Sequence, residues 1–233
     1  MEYEIQNQKI ELKLSDDVFK PSPHGSSILA NVIKINKNDT VLDVGTGTGL
    51  LAILAAKLGG KVTSIDILPQ AVELAKKNIK KNNVSIDIRC GDLFEPVKKE
   101  IFDVIIANVP QENLSPKIIA SLSQEVVIGM HGGKNGNETL LRTINNAHSF
   151  MHTSSRLYVV VYSMSNFRES IKEIIKKYNA KMINFYSGEV KDFLYSDVDW
   201  YEEESKKGKL EIYKKGEKYF ADLFAFELKI KNE

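Results

Sequence analysis

The amino-acid sequence predicts an α/β fold in which a mostly parallel sheet carries helices on both faces. Segments with strand-like and helix-like apolar periodicity alternate from residue 28 to residue 186, which is typical of parallel strands joined by helices. Residues 102–106 form a nearly continuous apolar run, as expected for a strand buried on both faces. Because the chain has 233 residues, enough for one sizeable core, we expect a single domain over 1–233.

Charge and cysteine content narrow the classes of function. The formal net charge is +1, so no overall positive field draws the protein to nucleic acid or to anionic membranes. No apolar run approaches the roughly 20 residues that span a bilayer, and the amino terminus lacks the apolar core of a signal peptide. Cys90 is the single cysteine, so no internal disulfide can form, and we expect it to be a buried packing residue in a cytoplasmic protein.

The amino-terminal residues are expected to form a hairpin followed by a stiff loop. Residues 3–14 alternate loosely between apolar and polar, which favours a hairpin laid against the main domain. Pro21 and Pro23 prevent a helix in the following stretch. Phe19 and His24 are therefore expected on a rigid loop just before the central fold.

A strand, a glycine turn and a helix follow one another after residue 40. Residues 41–44 predict the end of a buried strand, Gly45, Gly47 and Gly49 a tight turn, and the apolar residues 50–56 the start of a helix. Bare glycines let a ligand approach the backbone, and the N–H groups that begin a helix favour an anionic or hydrogen-bonding ligand. The spacing G-x-G-x-G differs from the G-x-G-x-x-G/A of dinucleotide-binding enzymes.

Polar residues stand at the ends of four successive predicted strands. They are Asp43, Asp66, Asp92 and Asn108. Asp66 lies about 20 residues beyond the glycine turn, where an acid commonly meets ribose hydroxyls. Because ligands of such sheets bind at the carboxyl ends of the strands, the four side chains are expected around one ligand.

With these flanks, the glycine turn resembles motif I of the class I S-adenosylmethionine-dependent methyltransferases. The segment Asn108-Val109-Pro110-Gln111 is similar to the Asn-Pro-Pro-Tyr motif of the members that methylate amino and amide nitrogens. Asn108 and Pro110 match that motif, whereas Val109 and Gln111 depart from it. The missing aromatic residue removes the platform that stacks on a planar target group.

A second resemblance lies further along the chain. The glycine-rich residues 130–136, followed by a predicted helix over 138–151, are similar to the corresponding segment of the protein-glutamine N5-methyltransferases. Those enzymes usually carry an acid where Asn135 stands here. The segment is thus either a functional loop near the target site or an ordinary glycine-rich turn with no role in function.

The resemblance implies a Rossmann-like class I methyltransferase fold, a mostly parallel seven-stranded sheet whose last strand, 218–230, inserts antiparallel. It implies S-adenosylmethionine as the cofactor. Its methionine portion would contact the glycine turn, and its ribose would contact Asp66. Its adenine would contact Asp92 and Leu93, with Ile67 against the face of the ring. The cofactor-binding set is Asp43, Gly45, Thr46, Gly47, Gly49, Asp66, Ile67, Asp92, Leu93 and Asn108. The expected parts of the chain are a hairpin and clamp loop over 1–35, a cofactor-binding core over 36–163, and a substrate-side part over 164–233.

The resemblance also implies in-line methyl transfer to a nucleophile of a small molecule or a protein side chain, with nitrogen favoured. Asn108 and Pro110 are the expected catalytic residues, because the Asn oxygen and a following carbonyl would accept hydrogen bonds from the target nitrogen. The expected substrate-contacting residues are Phe19, His24, Val109, Gln111 and His131. His24 or His131 could remove a proton from an acidic acceptor or an alcohol. No metal site is expected, since His148 and His152 lack acidic or cysteine partners at ligand spacing.

Other functions stay open on the sequence alone. The departure at Gln111 also fits a sulfur or oxygen acceptor, or a reaction at the aminocarboxypropyl chain of the cofactor. A non-catalytic partner subunit is a further alternative. A nicotinamide-dependent dehydrogenase is disfavoured by the glycine spacing, and a DNA methyltransferase by the lack of a basic stripe. The polar excursion 195–218 is either a substrate lid, with Trp200 and Tyr201 over the pocket, or an edge hairpin.

Overall fold

The computed structural model describes residues 1–21 and 25–231. Its strands are β1 (Glu2–Ile5), β2 (Gln8–Glu11), β3 (Thr40–Val44), β4 (Lys61–Asp66), β5 (Ile86–Cys90), β6 (Phe102–Ala107), β7 (Met151–Tyr162), β8 (Tyr178–Glu189), β9 (Tyr213–Lys215) and β10 (Lys218–Ile230). Its α-helices are α1 (Gly25–Ala30), α2 (Leu50–Lys57), α3 (Pro69–Lys81), α4 (Pro116–Ser121), α5 (Gln124–Met130), α6 (Glu138–Ala147), α7 (Phe167–Lys177) and α8 (Val198–Lys206). Short 3-10 turns lie at Glu95–Val97, His148–Phe150 and Asp192–Asp197.

The main sheet has the strand order β5-β4-β3-β6-β7-β10-β8, with β9 paired to β10 at its side. Neighbouring strands from β5 to β7 run parallel, whereas β10 is antiparallel to both β7 and β8. This confirms the mostly parallel sheet with an antiparallel last strand. The short β9 is a strand that the expected seven did not include. Because the chain leaves β3 towards β4 and later returns on its other side as β6, a crevice opens between the ends of β3 and β6.

The sheet is buried on both faces, as its apolar runs predict. In β3, Val41 packs in one apolar cluster, with α2 and the amino-terminal hairpin. Leu42 and Val44 point the other way, into a cluster with residues of α6 and α7. In β6, Ile106 and Ile105 divide between the same two clusters. Both strands are therefore held rigidly where they end at the crevice.

The predicted hairpin is formed by β1 and β2, which pair antiparallel. Asn78 of α3 and Asn82, which caps the end of that helix, hold the end of β2 and the residues after it: Asn82 Oδ1 accepts from the N–H of Glu11 at 3.0 Å, and Asn78 Oδ1 from that of Lys13 at 2.7 Å. Beyond them Val18 packs on α3. These contacts bring Phe19 to the edge of the crevice.

Apolar residues in helical spacing over 113–129 predict one helix, whereas the structure has two short helices there, α4 and α5. Ser115 caps the first, its Oγ accepting from the N–H of Ile118 at 3.2 Å. Ser123 caps the second in the same way from Val126, at 3.4 Å. Each serine side chain satisfies an orphan N–H of a helix start, so a new helix begins at 124 although the apolar spacing runs on. The expectation of one continuous helix was wrong.

The polar excursion packs on these two helices. It contains α8 and β9, and the chain turns at Lys215 and Gly216 into β10, as the hairpin interpretation predicts. Tyr201 is only 1 % exposed, in a cluster with Leu114 and Ile118. Tyr201 is therefore a packing residue of a small apolar core that the excursion forms with these helices.

Two other expectations concern single residues. Cys90 is exposed, not buried, because it ends β5, an edge strand with no fully buried residue. His152 has no acidic neighbour at ligand spacing in the sequence, but the fold brings Asp103 to it, with 2.9 Å between His152 Nε2 and Asp103 Oδ1. Across the described ranges no group of histidine, cysteine and acidic side chains is arranged to hold a metal ion. Within the same ranges no helix is long and apolar enough to cross a bilayer.

Candidate active site

Two adjoining cavities open at the carboxyl ends of β3, β4 and β6. The first has a volume of about 290 Å³ and is lined by the glycine turn, by Asp66 and Ile67, and by Asp92 and Leu93. The second, of about 730 Å³, lies between the end of β6 and the segment 188–193. Phe19 and the segment Asn108–Pro110 line both. The two cavities therefore share one wall, and of the residues expected to bind the cofactor Asp43 lines neither of them.

The glycine turn adopts a backbone that favours glycine. Gly45, Gly47 and Gly49 have φ angles of 75°, 53° and 87°, in the left-handed region. The N–H groups of Gly45 and Thr46 both donate to the carbonyl of Ile65, at 2.9 and 3.0 Å, which fastens the turn to β4. A Cβ added at Gly47 would meet nothing within 4 Å. The backbone is thus bare on the side where a ligand can approach.

Two buried polar atoms beneath this turn have no hydrogen-bond partner among the described residues, Asp43 Oδ2 and Thr46 Oγ1. Asp43 is 1 % exposed, and burial raises the pKa of its carboxyl to about 7. Asp43 is not among the residues that line either cavity, so its carboxylate lies behind the turn, where it would favour a positive group on a ligand without touching it. The amino group of S-adenosylmethionine is such a group, and the residues present fit that cofactor.

Asp66 ties the turn to the end of β4. Its Oδ2 accepts from the N–H of Gly47 at 2.8 Å, and its Oδ1 accepts from that of Leu68 at 3.0 Å. Burial raises the pKa of this carboxyl, and the hydrogen bonds from Leu68 and Gly47 oppose the rise. Each carboxylate oxygen has a second lone pair, so the group can still accept from a ligand hydroxyl. Ile67, 51 % exposed, presents an apolar surface beside it.

At the other end of the first cavity Asp92 forms an ion pair with Arg142 of α6. The following residue, Leu93, has a φ of 48° and packs against the main core. Both residues line the cavity, as does Arg142. The Asp92 carboxylate, which is expected to bind adenine, therefore already forms an ion pair with Arg142.

Asn108 follows β6 directly and lies between the two cavities. Its Nδ2 donates to Ser26 Oγ of α1 at 3.3 Å. No described residue donates to its Oδ1, so that oxygen is the end of the amide left to accept a hydrogen bond. Val109 is 4 % exposed and packs in the core beneath Gly45, which fixes the backbone on both sides of it.

The glycine-rich segment supports this loop from behind. The N–H of Glu112 donates to Met130 O at 2.9 Å, and that of Gly132 donates back to Glu112 O at 3.1 Å. A Cβ at Gly132 would lie 2.6 Å from the Cα of Gln111. The glycine is needed because two backbones touch here, so the segment positions the end of the Asn108–Gln111 loop.

The remaining predicted substrate residues differ in how free their polar atoms are. Gln111 lines the second cavity, but its Nε2 donates to Val160 O at 3.0 Å and its Oε1 accepts from the N–H of Tyr162 at 2.9 Å. Its amide thus hydrogen-bonds to the main chain of β7 in the way that a neighbouring strand would. His131 lines the first cavity, with Nδ1 3.1 Å from Glu112 O. His24 lies outside the described residues.

Comparison with known proteins places the chain in a family. Residues 17–127 match the family model described as methyltransferase small domain. Over 171 residues the chain is 35 % identical to a protein of Methanocaldococcus jannaschii named "Putative protein N5-glutamine methyltransferase", and the match covers 73 % of this chain and 85 % of that one. The chain belongs to this methyltransferase family. It is an S-adenosylmethionine-dependent methyltransferase.

Two further similarities are shorter or more distant. The methyltransferase is 41 % identical over 109 residues to the ribosomal protein L11 methyltransferase of Thermotoga neapolitana, and the match covers 45 % of this chain and 41 % of that one. The chain thus spans less than half the length of that relative. The crystal structure of a methyltransferase from Pyrococcus furiosus superposes with a TM-score of 0.57 at 19 % identity, over 93 % of this chain and 88 % of that one. This likeness shows the same fold.

The structure adds three side chains to this methyltransferase site that the sequence analysis did not select. Arg142 holds Asp92, while Glu112 and Lys191 form an ion pair in the wall of the second cavity. Arg142 could have been suspected, since it is the basic residue of the helix after the glycine-rich link. Nothing in the sequence around Lys191 indicates a role in the site, because its partner Glu112 lies 79 positions away.

Proposed function

We propose that this methyltransferase binds S-adenosylmethionine in the first cavity and transfers its methyl group to the side-chain amide nitrogen of a glutamine in a protein, held in the second cavity. The observation that carries the proposal is the position of Asn108–Pro110 in the wall of both cavities. The names of the M. jannaschii and L11 relatives support a protein as the acceptor. The similarity to the Asn-Pro-Pro-Tyr motif supports nitrogen.

Different residues of the first cavity bind different parts of the cofactor. Asp66 would accept hydrogen bonds from the ribose hydroxyls, and the charge of Asp43, behind the glycine turn, would favour the ammonium group. Asp92 and the N–H of Leu93 meet the edge of the adenine, and Ile67 packs on its face. When bound, the cofactor supplies a methyl group already activated by a positive sulfur, so the protein has to position the acceptor more than to activate it.

The loop after β6 positions the acceptor. Asn108 Oδ1 and the carbonyl oxygen of Val109 or Pro110 accept the two N–H groups of the amide, which turns its nitrogen towards the first cavity. Orientation of this kind lowers a barrier by roughly 7–11 kcal/mol. The cofactor bound in the first cavity would supply its methyl group to this nitrogen and leave as the neutral thioether, and the nitrogen would release one proton to water.

Product analysis with a blocked glutamine tests the proposal. The protein is incubated with S-adenosylmethionine carrying a deuterated methyl group and with acetyl-glutamine-N-methylamide. The expected products are S-adenosylhomocysteine and a glutamine whose side-chain nitrogen carries the label, as identified by tandem mass spectrometry. Methylthioadenosine in place of S-adenosylhomocysteine, or label on no part of the glutamine, would overturn the assignment.

A further inference from the structure

Glu112 places beside the acceptor cavity a carboxylate oxygen that no described residue pairs with. The side chain lines the second cavity, and the residue is only 7 % exposed. Its Oε1 contacts Lys191 Nζ, whereas its Oε2 is buried without a hydrogen-bond partner among the described residues. Buried polar atoms are almost always paired, so an orphan in the wall of a binding cavity indicates a contact that a ligand completes.

Neighbouring groups hold this carboxylate still. Its main chain is hydrogen-bonded on both sides to the glycine-rich segment, through Met130 O and the N–H of Gly132. The Lys191 ammonium that pairs with it also lies 4.4 Å from the centroid of the Phe19 ring. The pair therefore joins the amino-terminal loop to the segment after β8 across the cavity. Glu112 is a rigid acceptor and not a flexible surface acid.

The charges of the cavity select the kind of donor. Lys191 already neutralises Glu112, and of the other acids that line this cavity Glu189 is paired with Lys218 while Asp192 follows Lys191 in the chain. A second cation at Oε2 would therefore leave the Glu112–Lys191 pair with a net positive charge. A neutral N–H group satisfies Oε2 without adding charge. The Tyr162 hydroxyl does not fill this role, because no hydrogen bond joins it to Glu112, although the Glu112 charge adds to burial in raising the pKa of Tyr162.

We propose that Glu112 is a substrate-binding residue that accepts a hydrogen bond from a main-chain N–H of the acceptor polypeptide. The proposal rests on the proposed function, in which the glutamine amide occupies Asn108, four residues earlier in the same cavity wall. Asn108 then recognises the reacting side chain, and Glu112 recognises the peptide that carries it. The contact favours glutamine in a polypeptide over the free amino acid, whose α-ammonium group is charged.

The experiment compares Glu112→Gln with the wild type on blocked glutamines. The matched control is Glu189→Gln, since Glu189 lines the same cavity but both its oxygens are engaged, by Tyr195 Oη at 3.2 Å and Lys218 Nζ at 2.7 Å. The substrates are acetyl-glutamine-N-methylamide, its two analogues in which an ester oxygen replaces one main-chain N–H, and free glutamine. The measured quantity is kcat/KM for methyl transfer, with circular dichroism spectra and S-adenosylhomocysteine affinity as checks of folding.

Loss of one hydrogen bond to a charged acceptor corresponds to about a 10- to 150-fold decrease in kcat/KM. We expect such a decrease for one ester analogue with the wild type and with Glu189→Gln. Glu112→Gln should lose a similar factor on the parent amide and then be nearly indifferent to the same ester. Equal sensitivity of Glu112→Gln and wild type to both esters, or faster turnover of free glutamine, would overturn this inference while leaving amide methylation intact. Failure of the wild type to methylate any of the four compounds would instead overturn the proposed function together with it.

Discussion

Asp66 Oδ2 accepts a 2.8 Å hydrogen bond from the N–H of Gly47, so one carboxylate joins the end of β4 to the turn that follows β3. Gly47 is the position in that turn where an added Cβ would meet open space. The side chain expected to bind the ribose therefore also sets the shape of the backbone over which the cofactor would lie. Binding and local structure depend on the same group.

Replacement of Asp66 by alanine is expected to weaken cofactor binding about 10- to 150-fold, because hydrogen bonds to a charged acceptor are lost. Titration calorimetry with S-adenosylhomocysteine measures the effect. Glu73→Gln on the exposed face of α3 serves as the control and should leave the affinity unchanged. An Asp66→Ala protein with wild-type affinity would remove this residue from the site.

Asn108→Ala should separate binding from turnover. Ser26 orients its amide, and no residue in the described ranges donates to its Oδ1, so its loss is expected to lower kcat about 100-fold or more while cofactor affinity changes little. Ser26→Ala removes only the hydrogen bond that orients the amide, and a smaller decrease in kcat should follow. Steady-state kinetics on the blocked glutamine, with calorimetry beside them, test both variants. Undiminished turnover by Asn108→Ala would show that the side chain does not orient the acceptor.

The sequence predicts the strand-end side chains because each is positioned by its own strand and turn. Asp43, Asp66 and Asn108 follow apolar runs directly, and parallel strands bring their ends to one edge whatever the rest of the chain does. The same local signals predict the amino-terminal hairpin and the turn at Gly216. Their assignment to cofactor and acceptor stays a prediction until ligands are measured.

Features that depend on distant parts of the chain could not be predicted in this way. The pair of Asp92 and Arg142 joins residues 50 positions apart, and nothing local to Asp92 reveals it. The exposure of Cys90 follows from the edge position of β5, which is a property of strand order and not of the residues around it. The break between α4 and α5 was visible in principle, since Ser123 is a good helix cap, but apolar periodicity alone runs through it.

Gly132→Ala is expected to destabilise the protein and to slow catalysis. The new Cβ would lie 2.0 Å from Gly136 O and 2.6 Å from the Gln111 Cα, both backbone atoms that cannot move alone. Overpacking of this kind costs about 1–3 kcal/mol, and the shift would displace the end of the Asn108–Gln111 loop. Gly208→Ala is the control, because its Cβ would meet nothing within 4 Å and only its φ of 72° opposes the change. Urea denaturation should show the larger loss for Gly132→Ala, and equal losses would contradict the proposed backbone contact.

The Asp43 carboxyl makes the free energy of unfolding depend on pH in a direction opposite to that of a salt-bridged acid. Burial raises its pKa from 3.8 to about 7 in the folded chain, whereas the unfolded chain releases the proton near 3.8. The folded state therefore holds one proton more between these values, and its stability falls as the pH rises through this window. From pH 5.5 to pH 8 the loss from this group is about 2 kcal/mol. Asp43→Asn cannot ionise, so its free energy of unfolding should fall by about 2 kcal/mol less than that of the wild type over the same interval. Urea denaturation of both proteins at the two pH values measures the difference, which cancels the contribution of titrating groups that do not interact with Asp43. Parallel pH profiles would show that Asp43 does not titrate between pH 5.5 and pH 8 in the folded chain.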